Sequence, residues 1–167
     1  RSRAPATKAS ISAKCRGSSS SPNHTMCGRS RPTRPLAWHS SQYGGWAASG
    51  EIDLMEIVGE KPEEVLSSIH FGSTYPKRTL ITTTHALPKA SLVSDWHTYA
   101  VEWEPGEIRF FVDEVQTCTY RHWWSCSRLH NGQGVEAASE ADLNPWPAPF
   151  DQPFYLVMNV AVGGNFP

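Results

Sequence analysis

Three carboxylates fall within six residues in the stretch Gly50-Glu51-Ile52-Asp53-Leu54-Met55-Glu56, and apolar residues fill every gap between them. On a regular strand the side chains alternate between faces, so Glu51 and Asp53 share one face and Glu56 falls on the other. A β-bulge alters that parity. One extra residue between Asp53 and Glu56 returns Glu56 to the face of the other two acids. Ile52 and one of Leu54 or Met55 then point into a core.

Like charges held at short range repel, so such a row is costly unless chemistry requires it. Glycosidic bond cleavage does require it. One carboxylate serves as nucleophile and one protonated carboxyl as general acid, in environments that separate their pKa values. The outer pair lies roughly 13–17 Å apart along an extended chain. Leaning side chains and strand curvature must reduce this to the roughly 5–5.5 Å of a retaining pair. Taken alone, the row is equally compatible with a solvated acidic face or a calcium site.

The 167 residues fit one domain, with seven Trp and a net charge of −1. No overall basic surplus points to a nucleic-acid partner. No apolar run approaches the length of a membrane span, and none at the start resembles a signal peptide. The four Cys lack metal-site spacing; Cys118 with Cys126 and Cys15 with Cys27 are possible pairs, among three connectivities that stay open. The near-neutral charge conceals a division. Residues 1–40 hold eight Lys or Arg and no Asp or Glu, leaving seven basic and all sixteen acidic residues to the rest. Ser18-Ser19-Ser20-Ser21, together with Pro22, Pro32 and Pro35, predicts disorder or irregular coil there. That segment reads as a linker or as sequence foreign to the fold, in preference to a basic arm for an anionic partner.

Order is expected from about Tyr43-Gly44-Gly45-Trp46, a turn before the acidic strand. Trp46 is either core or an aromatic platform for a sugar ring. Val65 to Gly72 reads as a second strand, where the lone His70 is by default a hydrogen-bonded structural group. Thr74 to Ser94 reads as an exposed strand plus loop. His97, Tyr99, Val101 and Trp103 share one face of a strand that leads through Pro105-Gly106 into Glu107 to Val112. Asp113-Glu114 marks the next turn, followed by Val115 to Tyr120. Trp123 to Pro149 reads as a long loop with one short helical turn near Ala137 to Asp142. Pro153 to Val162 is apolar on both faces and predicts a central, buried strand. Asn159 within it is either a structural pin or a ligand contact. Short strands separated by turns, with almost no helical period, predict an all-β sandwich.

Four blocks then resemble glycoside hydrolase family 16 on its laminarinase side. They are Trp46-Ala47-Ala48-Ser49-Gly50-Glu51-Ile52-Asp53-Leu54-Met55-Glu56, His97-Thr98-Tyr99-Ala100-Val101-Glu102-Trp103, Gly106 to Asp113, and Pro153 to Asn159 running on to Gly163-Gly164-Asn165. They occur in the family's order over residues 41–167. The resemblance implies a concanavalin A-like β-jelly-roll sandwich of two curved antiparallel sheets with a carbohydrate cleft on the concave face. It implies retaining endo-hydrolysis of β-1,3-glucan or mixed β-1,3/1,4-glucan, with Glu51 as nucleophile, Glu56 as acid then base, and Asp53 tuning both. Trp46, His70 and Asn159 match sugar-binding cleft positions. Met55 is the extra residue that separates the laminarinase type from the lichenase type. No metal, no cofactor, no nucleic-acid partner and no membrane association are expected, and the resemblance implies an extracellular monomer acting on a β-glucan. The strands that flank these blocks in the family are not recognisable here, so an incomplete sandwich is expected, with residues 1–40 outside it. The alternatives are a non-catalytic β-glucan-binding protein, which the retained acids disfavour, and an inactive glucanase fragment.

Overall fold

The computed structural model describes residues 9–16, 24–32, 43, 45–87, 91–126, 129–130, 133–134, 140–152 and 154–162. For residues 9–16, 24–32, 129–130, 133–134, 155 and 159–162 it describes the backbone.

The chain runs through β1 (Ala9–Arg16), β2 (His24–Pro32), β3 (Glu51–Val58), β4 (Glu64–Gly72), β5 (Arg78–Ala86), β6 (Trp96–Glu104), β7 (Glu107–Val112), β8 (Val115–Tyr120), β9 (Leu129–His130), β10 (Gln133–Gly134) and β11 (Phe154–Val162). A single 3-10 turn at Glu140–Asp142 is the helical element of the described residues. One sheet has the order β11-β2-β3-β4-β5 and the other β1-β6-β7-β8, with β9 and β10 forming a small hairpin. All of these ladders are antiparallel. The all-β sandwich expected from the alternating pattern is the observed architecture.

The two sheets meet through their apolar faces. Tyr99, Val101 and Trp103 of β6 and Ile108, Phe110 and Val112 of β7 pack with Ile52, Val65, Ile69 and Phe71 of the other sheet. The shared face of His97, Tyr99, Val101 and Trp103 is buried as its period predicts. Tyr120 ties the layers at their edge, its hydroxyl reaching the Ser67 carbonyl at 3.0 Å and Thr83 Oγ1 at 2.8 Å. Beyond the core, Arg109 on the outer face of β7 gathers the carboxylates of Glu102, Glu104 and Glu107.

Two expectations are corrected. Residues 1–40 are not wholly irregular, because β1 pairs with β6 and β2 lies between β3 and β11. Backbone ladder bonds are indifferent to side-chain period, so a strand can form where the sequence shows none. Secondly, β11 is not central: among the described residues it pairs with β2 alone and forms the sheet edge. Phe154 packs against Trp103 and Phe150, but Leu156 is 39% and Met158 72% exposed on the same side of the strand. Of the cysteine pairings the sequence left open, Cys118 with Cys126 is not formed, and both are free thiols. The Cys15 and Cys27 side chains lie outside the described residues.

The β7–β8 hairpin turns on Asp113-Glu114, both at positive φ (48° and 69°), with Val112 opposite Val115. This is the geometry of a tight two-residue hairpin turn. The Asp113 carboxylate accepts from the Thr98 N–H at 2.9 Å and approaches His97 Nδ1 to 2.6 Å, while His97 Nε2 lies 3.0 Å from the Leu92 carbonyl. Burial lowers the affinity of His97 for a proton, but its bonds with Asp113 and Leu92 and the charges of Asp113 and Asp95 together outweigh this. Its pKa is therefore raised above the ordinary 6.5. A raised folded-state value contributes stability that is complete below about 6.5. That stability is lost as pH rises through the folded value. Thermal melts of the protein and of His97→Gln should thus differ more at pH 5.5 than at pH 9, by about 1 kcal/mol or more, the excess of a hydrogen bond to a charged group over a neutral one. A pH-independent difference would contradict the charged pairing.

Candidate active site

The acidic strand carries the bulge that side-chain parity requires. Against β4, Asp53 lies opposite Ser68 and Glu56 opposite Leu66, so three steps on β3 match two on β4. Against β2 the register shifts at the same level, with Met55 opposite Gly28 and Asp53 opposite Arg29. Ladder partners share a face. Glu51 opposite His70, Asp53 opposite Ser68 and Glu56 opposite Leu66 therefore lie in one row. Ile52 opposite Ile69 points the other way, into the core. Both Leu54 and Met55 are buried in that core, where the sequence suggested one of them. The bulge is what lets two consecutive apolar side chains remain covered.

The row is enclosed. Glu51, Asp53 and Glu56 are 1%, 0% and 3% exposed, values that charged side chains reach only with compensating contacts. Ser68 donates to Glu56 Oε2 at 3.2 Å and is itself 3.0 Å from Thr82 Oγ1. His70 Nε2 approaches Asp53 Oδ2 to 3.0 Å. On the same face of β5, Leu80 and Thr82 lie opposite His70 and Ser68 and are exposed, so the row opens toward that edge. Among the described residues, Glu51, Asp53 and His70 form the group able to converge on a metal ion, with donor atoms within 4.8 Å of one another. Two carboxylates that close repel, and the His70 nitrogen is placed to offset this.

The turn before β3 is braced from several sides. Gly50 N donates to the Ala47 carbonyl at 2.9 Å, Ser125 Oγ to the Ala48 carbonyl at 2.8 Å, and Gln152 Nε2 to the Ser49 carbonyl at 3.0 Å. The segment 124–126 is itself stitched to the end of β4, with Gly72 N to the Trp124 carbonyl at 3.0 Å and Cys126 N to the Gly72 carbonyl at 2.8 Å. Tyr43 donates to Asp151 Oδ2 at 2.7 Å; burial first, then this bond, pushes its phenol pKa up. Much of the long loop after Tyr120 is thus a buttress that fixes where Glu51 begins.

Trp46 sits beside the row, its ring centroid 5.4 Å from that of His70. His70 is brought to the acids, so the default reading of an isolated structural histidine gives way to a place in the site. By register Asn159 lies opposite Cys27, which lies opposite Glu56, so its backbone is at the level of the acids. The Asn159 side chain and the Gly163-Gly164-Asn165 block lie outside the described residues. Ser68 and Ser125 are contributors that sequence reasoning missed. Ser68 was recoverable once Glu51 was aligned with His70, because the ladder then places it opposite Asp53. Ser125 lies 77 residues from its partner, with no local signal.

Residues 29–126 match the profile of Glycosyl hydrolases family 16, which is more than half of the 167 residues. The chain belongs to glycosyl hydrolases family 16. It is 38% identical over 138 residues to the glucan endo-1,3-beta-glucosidase A1 of Niallia circulans, across 79% of this chain and 18% of that protein. It is 34% identical over 140 residues to the beta-1,3-glucan-binding protein of Penaeus monodon, across 74% of this chain and 36% of that protein. The crystal structure of the laminarinase from Rhodothermus marinus superposes with a TM-score of 0.59 at 33% identity, covering 86% of this chain and 50% of that one. The family 16 jelly-roll is therefore the fold of this chain, which spans half or less of each of these relatives.

Proposed function

We propose that this family 16 chain carries the catalytic row of a retaining endo-hydrolase of β-1,3-glucan or mixed β-1,3/1,4-glucan. The observation that supports the reading is the bulge that sets Glu51, Asp53 and Glu56 on one enclosed face. In the first step a Glu51 carboxylate oxygen attacks the anomeric carbon, and the bond to the glycosidic oxygen breaks as Glu56 gives that oxygen its proton. In the second step Glu56 takes a proton from water, whose oxygen attacks the same carbon and releases Glu51. Asp53, between the two and contacted by His70, tunes their charge. Trp46 and His70 flank the sugar at the Glu51 end, and Asn159, whose backbone is level with Glu56, is the third sugar-binding residue of the proposal. The similarity to a glucan endo-1,3-beta-glucosidase supports this substrate class. A polymeric substrate suits an extracellular monomer, with β1 and β2 joining residues 41–167 in the glucanase part.

The likeness to a beta-1,3-glucan-binding protein supports a second reading, binding without turnover. Laminarin hydrolysis followed by reducing-sugar assay, with proton NMR of the first product, separates them. Expected are sugar release and an initial β-anomer. Laminarin binding with no release would favour the binding reading, and an initial α-anomer would exclude retention.

A further inference from the structure

The loop joining β4 to β5 hangs at the Glu51 end of the row, past the Gly72–Arg78 pair that lies two ladder pairs beyond His70–Leu80. It presents Tyr75 with 68% of its surface exposed, a large aromatic at a loop tip where burial does not explain its choice. The ring is nonetheless placed. Tyr75 N donates to the Trp46 carbonyl at 3.1 Å, and Lys77 N to the Thr74 carbonyl at 3.0 Å closes the turn. The Tyr75 and Trp46 rings stack with centroids 6.3 Å apart and planes 24° apart. Arg78, opposite Gly72, holds its guanidinium 5.3 Å from the Trp46 ring centroid. A continuous line therefore runs from the buried Asp53 through His70 and Trp46 to Tyr75 at the surface.

Two buried donors accompany this line. Trp46 Nε1 and Arg78 Nε have no hydrogen-bond partner among the described residues. Buried polar groups are almost always satisfied, so donors left beside an aromatic run suit the hydroxyls of a ligand. An exposed tyrosine ring offers an apolar face for the C–H face of a pyranose and a polar rim for its hydroxyls.

We infer that Tyr75 is a specificity-determining contact, extending the Trp46 surface outward to hold a glucosyl unit remote from the bond that is cut. The inference rests on the glucanase reading above. Binding energy gathered this far from the reacting atoms serves long chains and is forgone by short ones. Steady-state kinetics on laminarihexaose and laminaritriose test it. In Tyr75→Ala the ratio of kcat/KM for the hexaose to that for the triose should fall about tenfold, carried by KM. Tyr75→Phe, which keeps the ring, should restore the ratio. A ratio unchanged in Tyr75→Ala overturns the inference while leaving the glucanase reading intact. If no β-glucan is cleaved, the glucanase reading fails, and electrophoresis through laminarin-containing gels decides the contact. Retardation lost in Tyr75→Ala supports it; equal or absent retardation overturns it.

Discussion

Glu51→Gln should lower kcat on laminarin by on the order of 10⁴-fold or more, because it removes the carboxylate on which the proposed glycosyl ester forms. Glu56→Gln should behave differently. On laminarin the loss of acid assistance costs about 10²–10⁴-fold. On an aryl β-glucoside whose phenol leaves without a proton, the first step no longer needs Glu56. Attack by Glu51 is then fast, the second step lacks its base, and the phenol appears in a burst followed by a slow phase. The structure allows this division because the bulge keeps both carboxylates on one face, with different neighbours: Ser68 donates to Glu56, whereas Glu51 shares a cluster with Asp53 and His70. A burst in Glu51→Gln and none in Glu56→Gln would reverse the assignment. Both variants replace a carboxylate with an amide of the same shape, so circular dichroism should report unchanged folding.

Gly50→Ala should destabilise the protein by about 2–5 kcal/mol, from a residue that touches no substrate. Two costs combine. Gly50 has φ +80°, where a Cβ costs about 1–2 kcal/mol. Its Cβ would also lie 2.9 Å from Pro149 Cγ and 3.0 Å from Phe150 Cε1. Overpacking of that kind costs about 1–3 kcal/mol. Gly106 provides the internal control, with φ +96° but a nearest neighbour, Trp146, at 3.7 Å. Gly106→Ala pays the backbone term alone. Denaturant melts of the two variants should therefore differ by about 1–3 kcal/mol. Equal losses would show that the Pro149–Phe150 segment gives way and does not fix the start of β3. Because Glu51 follows Gly50 directly, glucan turnover should fall together with stability.

The parts of this account that were legible in the sequence are those with a local physical signature. Parity along Glu51 to Glu56 demanded a bulge, and the register supplies one at that place. Alternation along His97 to Trp103 announced a buried face, and Asp113-Glu114 announced the turn after β7. Non-local partners were not legible. The strand β2 lacks an apolar pattern and is recognised through its two neighbours in the sheet. The apolar run of β11 implied cover on both faces, but composition cannot say what lies opposite Leu156 and Met158. His70 illustrates the same limit within the site, since a single histidine in a strand gains a role only once the ladder sets it against Glu51 and the rings set it against Trp46. The loop after Tyr120 offered prolines and glycines and no period, yet its Ser125 holds the turn that aims the first acid.

In the proposed mechanism Glu51 becomes covalently bonded to sugar. Incubation with a 2-deoxy-2-fluoro-β-laminaribioside bearing a dinitrophenyl leaving group slows the second step and allows the ester to accumulate. Peptide mass spectrometry then locates it. A single disaccharide adduct on Glu51 is expected, released slowly on dilution into free acceptor sugar. A label on Asp53 or Glu56, or steady turnover with no label at all, would contradict it.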